Sequence, residues 1–143
     1  MTPAELGFLK NHPIDALNAY AQSRRAILST WKHFSRNSDG DESDAFRHFL
    51  WAGLLVRQLG DERAGEFLSA HEQVPPNGKL TDRISSEMDQ WNNAEGMKVA
   101  KALLERGEFS LSRVEKEAYE AITQDRLKVL QSQGLGLTYP VNR

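Results

Sequence analysis

Three short stretches of the sequence carry polar side chains at spacings that a helix brings onto one face. They are "SDAFRHFLW" with Asp44, Arg47 and His48, "AHE" with His71 and Glu72, and "MDQWNNAEG" with Asp89, Asn92 and Asn93. Asp44 and His48 are four residues apart, and residues at that spacing are neighbours on a helix surface. Large apolar residues flank each stretch, which predicts that the polar groups line a cavity wall and not a solvated face.

These groups support two kinds of chemistry. Two imidazoles and two carboxylates, from His48, His71, Glu72 and Asp89, form a suitable ligand set for a divalent metal ion. Such an ion would polarise a phosphoryl or carbonyl oxygen and activate a bound water molecule. Without a metal, Glu72 beside an apolar wall serves as general acid and Asp89 as base or nucleophile, as in glycosidases. The sequence leaves the cofactor open between a divalent metal ion and none.

The roles of the individual residues follow from the same chemistry. Glu72 is the expected general acid or base, and the predicted catalytic group is Glu72, His48, Asp89 and Arg47. Arg47 would clamp an anionic substrate or hold a carboxylate ionised. The predicted substrate-binding residues are Asp44, Trp51, Asn92 and Asn93, of which the two asparagines would donate to a substrate oxygen or orient catalytic groups.

Each residue taken alone also has a purely structural explanation. Asp44 can cap the start of a helix, Arg47 can pair with the acidic loop before it, and a single histidine on an apolar face usually belongs to the core. The adjacent pair Asn92 and Asn93 inside a helix is harder to explain, because asparagine is a poor interior helix residue. Local rules are broken most often at functional sites. The joint pattern therefore favours a functional cluster.

Helical periodicity runs along almost the whole chain and positions these stretches. Thr2 and Glu5 have the spacing of a capping box, and Pro13 to Phe34 predicts a long helix. Its expected inward residues are Ile14, Leu17, Tyr20 or Ala21, Leu28 and Trp31. Further helices are predicted from Ser43 to Gly60, from an Asp61 cap to Glu72 or Gln73, from Thr81 or Asp82 to Gly107, and from a Ser112–Glu115 capping box to about Gln131. The tail "GLGLTYPVNR" is predicted to be irregular.

No segment alternates with the period of a strand, and no linker or repeat divides the chain. The predicted fold is all-α, a single compact bundle of about five or six helices over residues 1–143, with a motif-bearing core at about 37–100. At 143 residues the chain is long enough for one domain with a buried core.

Composition narrows the class of protein. The net charge of −2 gives no electrostatic reason to expect a nucleic-acid partner. The absence of cysteine excludes disulfides and thiolate metal sites. Neither a signal peptide nor an apolar run of membrane-spanning length is visible, so no transmembrane segment is predicted. We expect a soluble protein that is cytoplasmic in the producing cell, or one exported without a signal peptide.

Two families have a related arrangement of residues. The order His48, then His71-Glu72, then Asp89 is similar to the metal-binding order of the HD phosphohydrolases, which use His, His-Asp and Asp on a helical bundle. Here the central dipeptide is His-Glu, and the Asn pair is not part of that pattern. The likeness is one of layout.

The whole set more closely resembles a helical domain at the C-terminal ends of bacterial polymorphic and Rhs-type toxins. That pattern is D-A-x-R-H-x-x-W, L-x-x-x-x-G-x-x-x-A, H-E and M-D-x-x-N-N-x-x-G. The chain matches it at Asp44, Ala45, Arg47, His48, Trp51, Leu55, Gly60, Ala64, His71, Glu72, Met88, Asp89, Asn92, Asn93 and Gly96.

The toxin resemblance implies an antibacterial effector-like hydrolytic domain whose site is formed by the polar residues of the motif. It also implies a cognate immunity protein as a partner. The number of ionisable groups beside one apolar wall favours a hydrolase that acts on a bacterial envelope or phosphoester substrate. One alternative is a helical module that binds or neutralises a partner without catalysis, which predicts an exposed apolar patch. The HD-like metal-dependent phosphohydrolase is a further alternative.

Overall fold

Residues 1–136, which the computed structural model describes, form six α-helices and contain no strand. The helices are α1 (Pro3–Asn11), α2 (Pro13–Phe34), α3 (Glu42–Leu59), α4 (Asp61–His71), α5 (Leu80–Glu105) and α6 (Leu111–Thr123). The predicted all-α class is confirmed. No helix in this part of the chain is long and apolar enough to cross a membrane.

Helix α3 lies at the centre of the bundle. It packs against α2, α4, α5 and α6, and its most extensive contact is with α5. Aromatic residues of α3, among them Phe46 and Phe49, are fully buried. Because the first half of α3 is enclosed by its neighbours, the buried ionisable residues on it must face either a partner or an internal cavity.

A backbone-to-backbone contact sets the spacing of α3 and α5. A Cβ atom at Gly96 would lie 2.2 Å from the carbonyl oxygen of Phe49, so only glycine fits there. The contact fixes the register of the two helices. In this register His48 of α3 faces Asp89 and Asn93 of α5.

The buried face of α2 differs from the predicted one. Ile14, Leu17, Leu28 and Trp31 were expected to point inward, but they are 74%, 70%, 68% and 52% exposed. The inward face instead carries small residues, including the fully buried Ala16, Ala19 and Ala26. Small side chains let α2 approach α3 closely enough for the Trp51 indole N–H to donate to the Ala19 carbonyl at 3.0 Å. The buried face of α2 is therefore the one whose small side chains allow close packing on α3, and not the one with the larger apolar side chains.

The predicted starts of α3, α4, α5 and α6 each shift by one or two residues, so that α3 begins at Glu42 and α5 at Leu80. Gly60, with φ of 85°, precedes α4, so Asp61 is its first residue and not its cap. Helix α6 is capped by Ser110, whose hydroxyl accepts from the Arg113 N–H at 3.1 Å. The expected capping partner, Glu115, is buried and accepts from Ser29 at 2.6 Å.

Helix α6 ends at Thr123 and not near Gln131, because the chain turns at Asp125 with φ of 55°. Residues 124–136, here called the C-terminal segment, then cross α5 and the loop before α3. Trp91 donates to the Arg126 carbonyl at 2.9 Å, and Leu130 N–H donates to the Gly40 carbonyl at 2.7 Å. The rest of the tail predicted to be irregular, residues 137–143, lies outside the described residues.

Candidate functional site

A cavity of about 340 Å³ lies where α3, the end of α4 and α5 meet. The ionisable groups that line its wall include Asp44, Arg47, His48, His71, Glu72 and Asp89. We call it the acidic cavity. A larger and shallower cavity of about 570 Å³ lies on the other side of Glu72. The acidic cavity is the one that gathers side chains from all three sequence motifs.

His48 is the centre of the cluster. Its Nε2 atom lies 3.2 Å from Asp44 Oδ1 and 3.3 Å from Asp89 Oδ1. Its Nδ1 atom lies 3.2 Å from Asn93 Oδ1 and 3.9 Å from Glu72 Oε1. One buried imidazole therefore touches side chains from α3 and α5 and lies beside the carboxylate at the end of α4.

The Asp44 carboxylate is held by its own end of α3. It accepts from the Gly40 N–H at 2.7 Å and from the Arg47 guanidinium. Burial alone would raise the pKa of Asp44, but the hydrogen bond from His48 and the positive charges of His48 and Arg47 bring it below its ordinary value. Asp44 is therefore ionised at neutral pH.

Glu72 and Asp89 behave differently. Burial first, and the negative charge of Asp44 after it, raise the pKa of each to about 7. A hydrogen bond between the two carboxyl groups requires that one of them is protonated. When both are ionised, Glu72 Oε1 and Asp89 Oδ1 are buried without a hydrogen-bond partner among residues 1–136. The pair can thus hold or release a proton near neutral pH.

His71 is only partly drawn into the cluster. Its Nε2 atom is 3.9 Å from Glu72 Oε1, whereas its Nδ1 atom is 3.1 Å from Glu5 Oε1. The Tyr20 hydroxyl donates to the same Glu5 oxygen at 2.6 Å. Glu5 is 2% exposed and links α1 to the edge of the site, which the sequence analysis missed. Its position in a capping box was the only local signal, and that signal does not indicate a partner 66 residues away.

Arg47 lies at the edge of the acidic cavity, and its guanidinium group contacts several neighbouring residues. Besides Asp44, its guanidinium contacts Asn37, the Ser38 carbonyl at 3.3 Å and Asp39 at 3.4 Å. It therefore pairs with the loop before α3, as its structural explanation anticipated, and at the same time holds the Asp44 carboxylate.

The structure separates the other predicted binding residues. Trp51 is buried behind the cavity, with its ring perpendicular to that of His71 at 4.9 Å. Asn92 points away from the cavity and makes both of its amide bonds to the backbone of Lys128, at 2.9 and 2.8 Å. Of the asparagine pair, only Asn93 reaches His48.

The described residues that could hold a metal ion form a set different from the predicted one. Ligand atoms of Asp44, His48 and Asp89 all lie within 4.8 Å of one another. His48 and Asp89 belong to the predicted set, but Asp44 takes the place of His71 and Glu72. The exchange arises because His71 turns toward Glu5 and because Asp44 lies one helical turn before His48.

Fold and cavity together define an all-helical protein with a histidine–carboxylate site between three helices. The chain belongs to the DUF6973 family, described as a domain of unknown function, whose family model matches residues 6–126. This range includes all six ionisable residues named at the acidic cavity. No curated protein and no solved structure matches the chain.

Proposed function

We propose that the protein is a hydrolase whose reaction centre is the acidic cavity, and that it is an antibacterial effector. The observation that carries the proposal is the convergence of Asp44, His48, Glu72 and Asp89, from three different helices, on one cavity. Taking ionisable groups out of water is costly, and such clusters are concentrated at functional sites. No local capping or packing role accounts for two buried carboxylate oxygens that have no hydrogen-bond partner among the described residues.

The geometry supports acid–base hydrolysis. The water oxygen bonds to the phosphorus or carbonyl carbon of the substrate, and Glu72 accepts the proton that the water loses. The bond to the leaving group then breaks, and the leaving oxygen takes up the proton that Glu72 received from the water. Glu72 is suited to this role because its Oε1 atom has no partner within residues 1–136 and lies 3.9 Å from His48.

The proposed target rests on different support. The similarity of the motif set to the C-terminal domains of polymorphic toxins supports a bacterial envelope or phosphoester substrate, and a cognate immunity protein as partner. A cavity of about 340 Å³ suits a small molecule or one unit of a polymer.

Expression in a bacterium tests this proposal. The wild-type protein is produced in the cytoplasm and, separately, with an added export signal, beside Glu72→Gln and the control Glu62→Gln, which changes an exposed residue of α4, the helix that ends just before Glu72. We expect toxicity in one compartment that Glu72→Gln abolishes and Glu62→Gln retains. Toxicity only on export indicates an envelope substrate, and toxicity only in the cytoplasm indicates an internal phosphoester. Absence of toxicity in both compartments, or equal toxicity of Glu72→Gln, contradicts the proposal.

A second candidate function is a non-enzymatic partner-binding module. It is favoured by the exposed apolar residues Ile14, Leu17, Leu28 and Trp31 on one face of α2. This function predicts that Leu17→Glu with Leu28→Glu removes the biological effect and that Glu72→Gln leaves it unchanged. The hydrolase proposal predicts loss of the effect in Glu72→Gln.

A further inference from the structure

We propose that Asp44, His48 and Asp89 bind one divalent cation in the acidic cavity, and that Glu72 lies beside it as the base for a cation-bound water. The inference rests on the proposed function, because it names the cofactor of the same site. It also selects between the two substrate classes. The ligands provide one imidazole nitrogen and two carboxylate oxygens, a set typical of Mn²⁺, Fe²⁺, Zn²⁺ or Mg²⁺ sites.

The separations of the ligand atoms fit a single cation. Two ligands that each lie about 2.1 Å from a metal are about 3.0 Å apart at an octahedral right angle and about 3.4 Å apart at a tetrahedral angle. His48 Nε2 is 3.2 Å from Asp44 Oδ1 and 3.3 Å from Asp89 Oδ1. Both distances fall between the two limits, and all three ligand atoms lie within 4.8 Å of one another, so rotation of the two carboxylates would let the three side chains share one ion.

The hydrogen bonding of His48 leaves room for the cation. Asn93 Oδ1 is an acceptor, and at 3.2 Å from Nδ1 it places one imidazole proton on that nitrogen. Nε2 faces Asp44 Oδ1 and Asp89 Oδ1 and, without a cation, donates its own proton to Asp44. A cation between Nε2 and the carboxylates would take the place of that proton. Metal-bound histidines generally donate their other N–H in this way.

Asp44 can take part without losing its present partners. A carboxylate offers about four lone-pair directions. Gly40 N–H donates to Oδ2 at 2.7 Å and Arg47 donates to Oδ1, which leaves a further direction on Oδ1 for the ion. Gly40 and Arg47 therefore orient this ligand, as Asn93 orients His48.

An unpartnered carboxylate provides independent support. Glu72 is 8% exposed, lines the acidic cavity, and its Oε1 atom has no hydrogen-bond partner in residues 1–136. A water molecule on the cation would give this oxygen a donor. Asp89 Oδ1, which has no hydrogen-bond partner there and lies 3.3 Å from His48 Nε2, would gain the cation itself.

The charge of the cavity wall points to the same conclusion and to the substrate class. Asp44, Glu72 and Asp89 face the interior, and Arg47 is the one Lys or Arg side chain among the described lining residues. An anionic phosphoester would be repelled by this wall. A divalent cation reverses the local sign and polarises the phosphoryl oxygen. We therefore infer a phosphoester substrate that enters with the cation in place.

Titration of chelator-treated protein with Mn²⁺, followed by isothermal calorimetry, tests the inference without any substrate. We expect one Mn²⁺ per chain in the wild type, with affinity at least about tenfold weaker in Asp89→Asn. Glu87→Gln, an exposed acidic residue two positions away on α5, should bind Mn²⁺ as the wild type does. The conservative Asp89→Asn keeps the shape of the side chain, and circular dichroism verifies that it is folded.

Absence of Mn²⁺, Zn²⁺ and Mg²⁺ binding in the folded wild type, or equal binding by Asp89→Asn, overturns the inference. Such a result leaves the hydrolase proposal standing if Glu72→Gln still abolishes toxicity. Conversely, stoichiometric binding that Asp89→Asn weakens supports the cation site even if toxicity is absent in both compartments, a result that contradicts the hydrolase proposal. Release of the alcohol from a generic phosphodiester (p-nitrophenol from bis(p-nitrophenyl) phosphate) by the Mn²⁺-loaded protein, and not by Asp89→Asn, would support the substrate class; no release by the loaded wild type would contradict it.

Discussion

Replacement of Gly96 by alanine should destabilise the fold and open the site at the same time. Gly96 is the residue at which α5 touches the backbone of α3. The new methyl group would lie 2.2 Å from the Phe49 carbonyl oxygen, whereas ordinary contacts begin at 3.4 Å. The two helices must therefore separate by about 1 Å, because the obstacle is backbone and cannot rotate away.

The expected cost follows from two opposing effects. Overpacking of a well-packed interior costs about 1–3 kcal/mol, and a backbone obstacle places Gly96→Ala at the upper end. Alanine in a helix interior gains about 1 kcal/mol over glycine. The net loss in the free energy of unfolding is then about 2 kcal/mol, which corresponds to a decrease in Tm of about 4–8 °C for a chain of this length.

Urea unfolding, followed by circular dichroism at 222 nm, measures this loss. The matched control is Gly65→Ala in α4, where the new methyl group meets only the Met97 methyl at an ordinary 3.6 Å. The control should be more stable than the wild type by up to about 1 kcal/mol. Because His48 lies next to Phe49, a 1 Å displacement of α5 also lengthens the 3.3 Å separation of His48 and Asp89 and should weaken Mn²⁺ binding.

Equal stability of the Gly96→Ala and Gly65→Ala variants would refute this reasoning. It would mean that α3 and α5 accommodate the methyl group without cost, and that their close contact does not hold the site. Loss of Mn²⁺ binding without loss of stability would show that register, and not packing free energy, is the main role of Gly96.

Three further predictions concern other parts of the molecule. Asp89→Asn should stabilise the metal-free protein at pH 8 by up to about 4 kcal/mol and by little near pH 4. The fold raises the pKa of Asp89 from 3.8 to about 7, so the wild type loses stability as the pH rises between those values. Equal effects at both pH values in thermal unfolding would contradict this prediction. Asn92→Ala should lower the free energy of unfolding by about 1–3 kcal/mol and speed proteolysis of the C-terminal segment, because two part-buried hydrogen bonds to the Lys128 backbone are lost. An unchanged cleavage rate would argue against that role. Leu28→Ala should change the free energy of unfolding by less than about 0.5 kcal/mol, because Leu28 is 68% exposed. Phe46→Ala should lower it by about 3–5 kcal/mol, because Phe46 is fully buried. Similar urea midpoints for the two variants would show that Leu28 is packed in solution.

The helices were predictable because their boundaries carry local signals. Pro13 at the first helical position and the polar stretch after Phe34 fixed both ends of α2. The end of α6 was not predictable in the same way. Arg126 and Lys128 continue a polar pattern that suits an exposed helix, and the turn at Asp125 depends on contacts with α5.

The buried side of α2 could not be chosen from its sequence. One face offers Ile14, Leu17 and Leu28, and another offers the alanines at 16, 19 and 26. Periodicity ranks the larger residues higher, yet a central helix such as α3 can be approached closely only by a face of small residues. Which face is buried depends on how close the partner helix lies, and that distance is a property of the whole bundle.

Most of the ionisable residues of the candidate site were predictable from the sequence, but the contacts that each polar residue makes were not. Asp44, His48, Glu72 and Asp89 were identifiable because each is an ionisable group beside large apolar residues. Nothing local indicated that Asn92 binds the Lys128 backbone, 36 residues away, while its neighbour Asn93 contacts His48. Successive helix positions point about 100° apart, so adjacent residues of one type generally have different partners.

Within about two turns, the motif on α5 therefore contains residues that form the candidate site and residues that hold the fold together. Asp89 supplies a carboxylate to the cavity, Asn93 orients the imidazole opposite it, and Gly96 brings the two helices close enough for both contacts. Asn92 points elsewhere and fixes the C-terminal segment, whose Leu130 closes one side of the same cavity. A substitution at Asn92 thus acts on the wall of the cavity, and one at Asn93 acts on His48. Comparing the two neighbours separates the stability of the bundle from the chemistry of the site.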